Sequence, residues 1–248
     1  MIPLKTKNEL LKMRDSGRIV AEILLLLQEK AVSGVTTREL DIVAEAECLK
    51  RKARPAFKGY GGFPYTICAS PNHKVVHGFA DDVPLLDGDI LSIDFGVQYQ
   101  GYFGDAAVTI PIGPIDDEKK CLNEVTQKSL ALAIAAAQAG NRVSDISWAV
   151  QSYVEAEGFS VVRDFVGHGI GQKLHEAPQV PNFGQPGHGA RLKPGMVLAI
   201  EPMINAGCAE VKILADGWTA VTADGRPSSH FEHTVAITVD GPVILTLP

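Results

Sequence analysis

Apolar residues recur along this chain at two periods, and the change between them predicts its elements. Over residues 8–29, Leu11, Ile19, Ile23 and Leu26 return at helical spacing, and Lys30 and Gly34 mark the end of that run. Thr36 and Glu39 match a capping box opening a second helix that carries Leu40, Val43 and Ala44. A third helix is expected from Asp116 or Asp117 to about residue 139, stopped by Gly140. A fourth runs from Ser144 to about residue 157, with Ile146, Val150 and Val154 on one face.

Elsewhere the apolar positions read as strands. Ile90, Leu91 and Ile93 form one run and residues 106–110 another, with a polar, glycine-containing turn between them. If that turn centres on Tyr99 and Gln100, Asp94 faces Asp105 across an antiparallel pair, with Cβ atoms roughly 5 Å apart. Like charges so placed destabilise a sheet unless a cation lies between them, and a divalent metal with hard oxygen ligands suits that position. The alternative is that one or both aspartates face solvent, and a bulge at Gly101 or Gly104 would change the register. Residues 67–69 read as a short buried strand and 72–77 as turn and strand. Residues 196–200 form a buried run that stops on Glu201, and 231–239 the last long strand, with Glu232 at its start. Asp216-Gly217 and Asp224-Gly225 are turn signals that break up the segment between.

The order helix, glycine, Ser/Thr cap, helix, strand occurs at 8–57 and again at 117–166, an offset of a little over 100 residues. Identity across the echo is low. It implies two similar α/β halves, about 8–110 and 117–240, that form one sheet with a site between them. No linker separates them, so one catalytic domain over 1–248 is expected.

Composition narrows the class. A hydrophobic fraction of 46% with 21% charged residues is that of a folded globular chain. The net charge of -6, with no long basic run, argues against nucleic acid as the main partner. Cys48, Cys68, Cys121 and Cys208 make no C-x-x-C pair, which points to a reducing compartment. Residues 1–14 carry no apolar signal core, and the apolar cluster at 19–27 is interrupted by Glu22 and too short for a bilayer. A cytoplasmic protein is expected.

Several polar residues sit where a strand or glycine context makes them conspicuous. His168 lies in Gly167-His168-Gly169-Ile170-Gly171, where glycines clear space for something to approach the ring, or where a core histidine is packed. Gly59, Gly61 and Gly62 lie among Tyr60, Phe63 and Tyr65 near His77, a stretch that either lines a pocket or forms a turn with core aromatics. An apolar run that ends on a carboxylate, as at Glu201, calls for a partner for that charge. Asp94, Asp105, His168, Glu201 and Glu232 together offer four carboxylates and one imidazole, a set that two divalent ions would balance. One imidazole among oxygens favours Mn²⁺, Fe²⁺, Co²⁺ or Zn²⁺ at a reactive centre.

In order and spacing, Ser92-Ile93-Asp94-Phe95-Gly96, Gly104-Asp105, the glycine-flanked His168, Ile200-Glu201-Pro202-Met203 and Phe231-Glu232-His233-Thr234 resemble type I methionine aminopeptidases. The resemblance implies the pita-bread fold, an α/β (α+β) architecture of two pseudo-symmetric halves around a curved, mainly antiparallel sheet. It implies removal of the initiator methionine from nascent polypeptides whose second residue is small. Asp94 would chelate one metal, Asp105 and Glu232 would serve both, and His168 and Glu201 would complete the other shell. Glu201 would also accept a proton, with His77 and His175 as auxiliary catalytic histidines. Tyr60, Phe63, Cys68, Leu174 and Trp218 match the methionine side-chain pocket, although Trp218 on its own reads as a strand aromatic after a turn. The family also uses a monovalent cation near the loop that matches Asn72 and Lys74. A monomer with transient ribosome contact and no nucleic-acid substrate is expected.

Some features differ among relatives. No cysteine- and histidine-rich front end precedes the first helix, and residues 169–200 are too few for the insertion of type II enzymes. Phe57 and His230 stand where related bacterial enzymes often have Cys and Gln, which would reshape the pocket rim or the surroundings of the ligands. X-Pro aminopeptidases and prolidases share the fold but usually carry a sizeable preceding domain. A binding module that had lost the chemistry would be expected to lack ligands, whereas all five are present.

Overall fold

The computed structural model describes residues 2–248. Its helices start where side chains can take up free backbone donors. In α1 (Lys7–Lys30), Thr6 accepts from the Glu9 N–H while the Glu9 carboxylate accepts from the Thr6 N–H. α2 (Thr37–Lys50) repeats this with Thr36 and Glu39. The buried stripe of α1 is shifted from the expected one: Met13, Val20, Ile23 and Leu27 are fully buried, while Leu11 is exposed and Leu26 half-buried. The sheet, whose position periodicity does not report, selects that face. α3 (Asp117–Ala136) is capped by Asp116 and ends before the expected 139, where the Asn141 amide donates to the Ala136 carbonyl. α4 (Val143–Ala156) starts one residue ahead of Ser144, whose hydroxyl donates to the His188 carbonyl instead of capping. The Asp145 carboxylate accepts from the Arg142 N–H in its place.

In chain order the strands are β1 (Arg54–Pro55), β2 (Cys68–Pro71), β3 (Lys74–Val76), β4 (Ile90–Tyr99), β5 (Tyr102–Pro111), β6 (Ser160–Val161), β7 (Gly167–Gly169), β8 (Glu176–Val180), β9 (Val197–Ile200), β10 (Met203–Asn205), β11 (Val211–Ile213), β12 (Ala220–Thr222), β13 (Ser228–His230), β14 (Glu232–Thr238) and β15 (Gly241–Ile244). The main sheet runs β1-β4-β5-β14-β9-β7-β8, with β2 also on β4 and β15 on β14, and its ladders are antiparallel. The first half of the chain supplies β1, β2, β4 and β5 with helices α1 and α2. The second supplies β7, β8, β9, β14 and β15 with α3 and α4. The halves meet at the β5–β14 ladder, giving the curved, helix-flanked pita-bread architecture that the resemblance implied.

Alternation along the central strands sorts the two faces. Leu91, Ile93, Phe95, Ala106 and Ile110 pack toward α1 and α2, while Leu198, Ile200, Val235 and Ile237 pack toward α3 and α4. Each such large side chain, fully buried, contributes about 1.5–3 kcal/mol. The opposite, inner face carries Ser92, Asp94, Asp105, Thr109, His168, Glu232 and Thr234. The helices therefore hold the sheet from outside and leave the polar face free to build a site. Among the described residues no helix is long and apolar enough to cross a membrane.

Candidate metal centre

The β4–β5 hairpin is continuous, without the bulge considered at Gly101 or Gly104, but its turn lies one position later than the sequence suggested. Tyr99 pairs with Tyr102, and Gln100 and Gly101 make the turn with φ of 50° and 81°. Two successive positive φ angles suit the right-handed twist of a hairpin, and glycine at the second favours this placement. Asp94 consequently faces Ala107, and Asp105 faces Gly96. The two aspartates are diagonal neighbours, not direct partners, yet a shift of two in register keeps them on the same face. Their carboxyls still lie close enough to influence each other's protonation.

Register then explains the convergence. Cys68, Asp94, Ala107 and Glu232 lie in one row across β2, β4, β5 and β14. The small Ala107 leaves room between the two carboxylates that flank it. One row over, His168 pairs with Ala199 and Ala199 with Thr234. The Thr234 hydroxyl donates to the Asp105 carbonyl at 2.7 Å and accepts from the Asp105 N–H at 3.1 Å, pinning β5 to β14 beside the cluster. Glu201, just past β9, brings its Oε1 to 3.7 Å from His168 Nε2 and its Oε2 to 3.8 Å from His230 Nε2. Ligand atoms of Asp105, His168 and Glu232 all lie within 4.8 Å of one another. His168 Nδ1 contacts the Gly169 carbonyl at 2.9 Å; donation of Nδ1–H there leaves Nε2 as an acceptor toward the carboxylates.

Burial raises the pKa of all four carboxyls, and their mutual repulsion adds to the rise at Asp105, Glu201 and Glu232; Asp94 is pushed up to about 7. Burial holds His77 and His168 at about 4 and His230 at about 3, and lowers His175. Among the described residues no lysine or arginine forms an ion pair with these carboxyls; Glu201 lies near the rings of His168 and His230. Asp94 Oδ1, Asp105 Oδ1 and Glu232 Oε1 are buried with no hydrogen-bond partner. Orphaned carboxylate oxygens beside an imidazole acceptor fit hard or borderline divalent ions.

The cluster forms the floor of a cavity of about 270 Å³ walled by Phe57, Tyr60, Phe63, Cys68, His77, Leu174, His175 and Trp218. Of the two readings of the aromatic-glycine stretch, the structure favours the pocket. Phe63 makes edge contacts with Trp218 and Phe79, and Trp218 stands 6.5 Å from the His77 ring. The His175 ring meets that of His168 edge-on, with centroids 4.2 Å apart, and bonds Tyr60 Oη through Nδ1 at 2.8 Å. Phe57 lies on the wall, and His230 sits beside Glu201. Sequence reasoning missed Phe165, whose ring sits edge-on to His77, and Asp41, whose carboxylate accepts the Thr66 and Ile67 N–H groups ahead of Cys68. A buried-face aspartate on α2, next to Leu40, was the available signal for the second.

The glycines around His168 serve neighbours other than those expected. A Cβ at Gly167 would strike the Ala199 carbonyl, one at Gly169 the Ala177 carbonyl, and one at Gly171 the Lys5 side chain. They admit adjacent backbone and a lysine; they do not clear the ring for a substrate.

Residues 11–239 match metallopeptidase family M24. The chain belongs to that family. It is 55% identical over 247 residues to a methionine aminopeptidase of Clostridium perfringens, covering all of this chain and 99% of that relative. A crystal structure of methionine aminopeptidase from Thermotoga maritima superposes with a TM-score of 0.98 at 46% identity, each chain covered fully. The prolidase of Pyrococcus furiosus shares only the fold, at 24% identity, a TM-score of 0.81 and 65% coverage of that longer chain. Membership of M24, the type I resemblance and the buried cluster identify a metal-dependent peptidase.

Proposed function

We propose that this M24 enzyme removes the N-terminal methionine from nascent polypeptides whose second residue is small. The observation that carries this reading is the set of three orphaned carboxylate oxygens facing a small, largely apolar cavity. Asp94 would hold one divalent ion, His168 and Glu201 a second, and Asp105 and Glu232 both. Fe²⁺, Mn²⁺, Co²⁺ and Zn²⁺ all suit these donors. Such ions, when bound, supply Lewis acidity and make water acidic enough to yield a nucleophile near neutral pH.

The chain's own residues do the rest. Glu201 accepts the proton of the attacking water and returns it. His175, neutral and held by Tyr60 through Nδ1, turns its other nitrogen toward the scissile carbonyl as negative charge develops. His77, also neutral, hydrogen-bonds the scissile amide and relays a proton to the leaving nitrogen. Tyr60, Phe63, Cys68, Leu174 and Trp218 enclose the methionine side chain, a flexible thioether that fits such a wall. The substrate's free amine meets the carboxylate cluster, which restricts cleavage to the first bond. A monovalent cation near Asn72 and Lys74 is supported by the buried, unpartnered Ser229 hydroxyl, since the Asn72 carbonyl accepts from the adjacent Ser228 N–H. A single catalytic domain, a monomeric state, a cytoplasmic location and transient ribosome contact, with no nucleic-acid substrate, complete the proposal.

The deciding experiment strips the metals, restores Mn²⁺, Fe²⁺ or Co²⁺ in defined amounts, and compares Met-Ala-Ser with Ala-Pro-Ser. Metal-dependent release of methionine from the first alone is expected. Preferred cleavage of Ala-Pro-Ser would replace this reading with an X-Pro peptidase.

A further inference from the structure

The loop that carries Leu174 and His175 is tied to the opening segment of the chain. Glu176, immediately after His175, has a side chain only 8% exposed, and that of Lys5 is 5% exposed. Lys5 Nζ donates to Glu176 Oε2 at 2.5 Å. The other oxygen, Oε1, accepts the backbone N–H groups of Gln172 at 2.9 Å and Lys173 at 3.2 Å. One carboxylate thus closes the loop on itself and anchors it to Lys5. Lys5 is fixed in turn, because its N–H donates to the Gly195 carbonyl at 2.7 Å, in the turn that leads into β9. Gly171 lets the lysine stem pass. A second tie runs parallel: Glu9, in the α1 capping box, accepts from Tyr102 Oη at 2.7 Å, and Gln172 Nε2 donates to that same oxygen at 3.0 Å.

The geometry points to Lys5 and Glu176 as positioning residues for the reaction, with Tyr102 as a weaker support. They hold His175 against the carboxylate cluster. This rests on the proposed role of His175. The loop needs such ties: residues 171–175 form no strand or helix, and the His175 ring has its Tyr60 hydrogen bond and His168 contact as its own restraints. The metal ligands on β4, β5, β7 and β14 are held by strand ladders and do not depend on Lys5. Removing the ammonium leaves a buried Glu176 oxygen without its partner, and the loop relaxes to solvate it. A shift of about 1 Å in a catalytic group costs roughly 10²-fold in rate.

The test is a double-mutant cycle on Met-Ala-Ser hydrolysis with the metal-loaded enzyme. Lys5→Met keeps the stem and removes the charge. It should lower kcat/KM by about 10- to 100-fold while metal binding, read by calorimetry, stays unchanged. In a His175→Ala background the same substitution should add less than about twofold, because its effect passes through the loop that has already lost its histidine. Tyr102→Phe, a milder change that tests the same coupling should Lys5→Met fail to fold, should give a smaller loss with the same non-additivity. Losses that multiply in the double variants would mark these contacts as general stabilisers and overturn the proposal. So would a Lys5→Met enzyme within twofold of wild type while His175→Ala is impaired. Near-normal turnover of His175→Ala itself would overturn the role of His175 as well, and is recognisable without any change at Lys5.

Discussion

The carboxylates and the auxiliary histidines share one cavity but are held by different means. Asp94, Asp105 and Glu232 project from paired strands, where ladder register and the Thr234 bond to Asp105 fix each Cα. His77, with φ of 57°, and His175 lie outside the ladders, and side-chain contacts place them. Burial differs as well. Asp105 and Glu232 are 4% and 2% exposed, whereas Tyr60, on the rim, is 47% exposed. On the proposed function, the strand-borne part would hold the cations and the loop-borne part would meet the peptide. Binding of metal and reading of substrate should therefore separate under mutation.

The strongest expected effect tests the strand-borne side. Asp105→Asn should lower metal stoichiometry and reduce kcat/KM by more than about 10²-fold, beyond what loss of a supporting partner costs. Unchanged calorimetric metal binding in that variant would remove Asp105 from the ligand set. Next come the loops: His77→Ala and His175→Ala should each reduce turnover by roughly 10²-fold with metal content intact. Loss of metal together with rate would erase the distinction between the two regions.

Substrate discrimination sharpens the same comparison. On the proposed function the second residue of the peptide would pass between the loops of His77 and His175, so kcat/KM for Met-Leu-Ser should fall about 10²-fold below that for Met-Ala-Ser. Values within twofold would reject this reading of specificity even with every ligand correct. An N-acetylated methionine should also resist cleavage, since it lacks the charged amine.

The smallest effect concerns stability without metal. The folded-state pKa of Asp94 is about 7, and those of Asp105, Glu201 and Glu232 are raised well above the ordinary value. A carboxyl raised on folding contributes stability that is present at low pH and lost as pH rises through its folded-state pKa. The buried histidines act in the opposite sense, but only below about 6.5, since above that they are neutral in both states. The metal-free protein should thus lose a few degrees of Tm between pH 6.5 and 8, and added Mn²⁺ should stabilise it more at pH 8 than at pH 6.5. A scanning calorimeter showing a flat or rising Tm across that window would contradict the assignment of raised carboxyls.

Much of this was legible in one dimension. Thr36 with Glu39 and Asp116 announced helix starts because capping is local, between groups three residues apart. A turn assumed at Tyr99 and Gln100 put Asp94 opposite Asp105, and their shared face survived an error of two in register because the side-chain period of a strand is two. The five-part motif pattern identified the type I relatives, and of the five ligands it nominated, Asp105, His168 and Glu232 bring ligand atoms within 4.8 Å of one another. Other features lay beyond the sequence. Which stripe of α1 is buried depended on the sheet beneath it, so Leu11 was misread. Whether Glu232 would stand beside Asp94 depended on β14 pairing with β5 across more than 120 residues of chain, with Ala107 between them. The glycine at 171 could be seen in the sequence, but its reason, the Lys5 stem packed against it, is a contact between segments about 165 residues apart. Local hydrogen bonding and side-chain period are properties of the chain; register, partner strand and close approach are properties of the packed molecule, set by the cores that bring its two halves together.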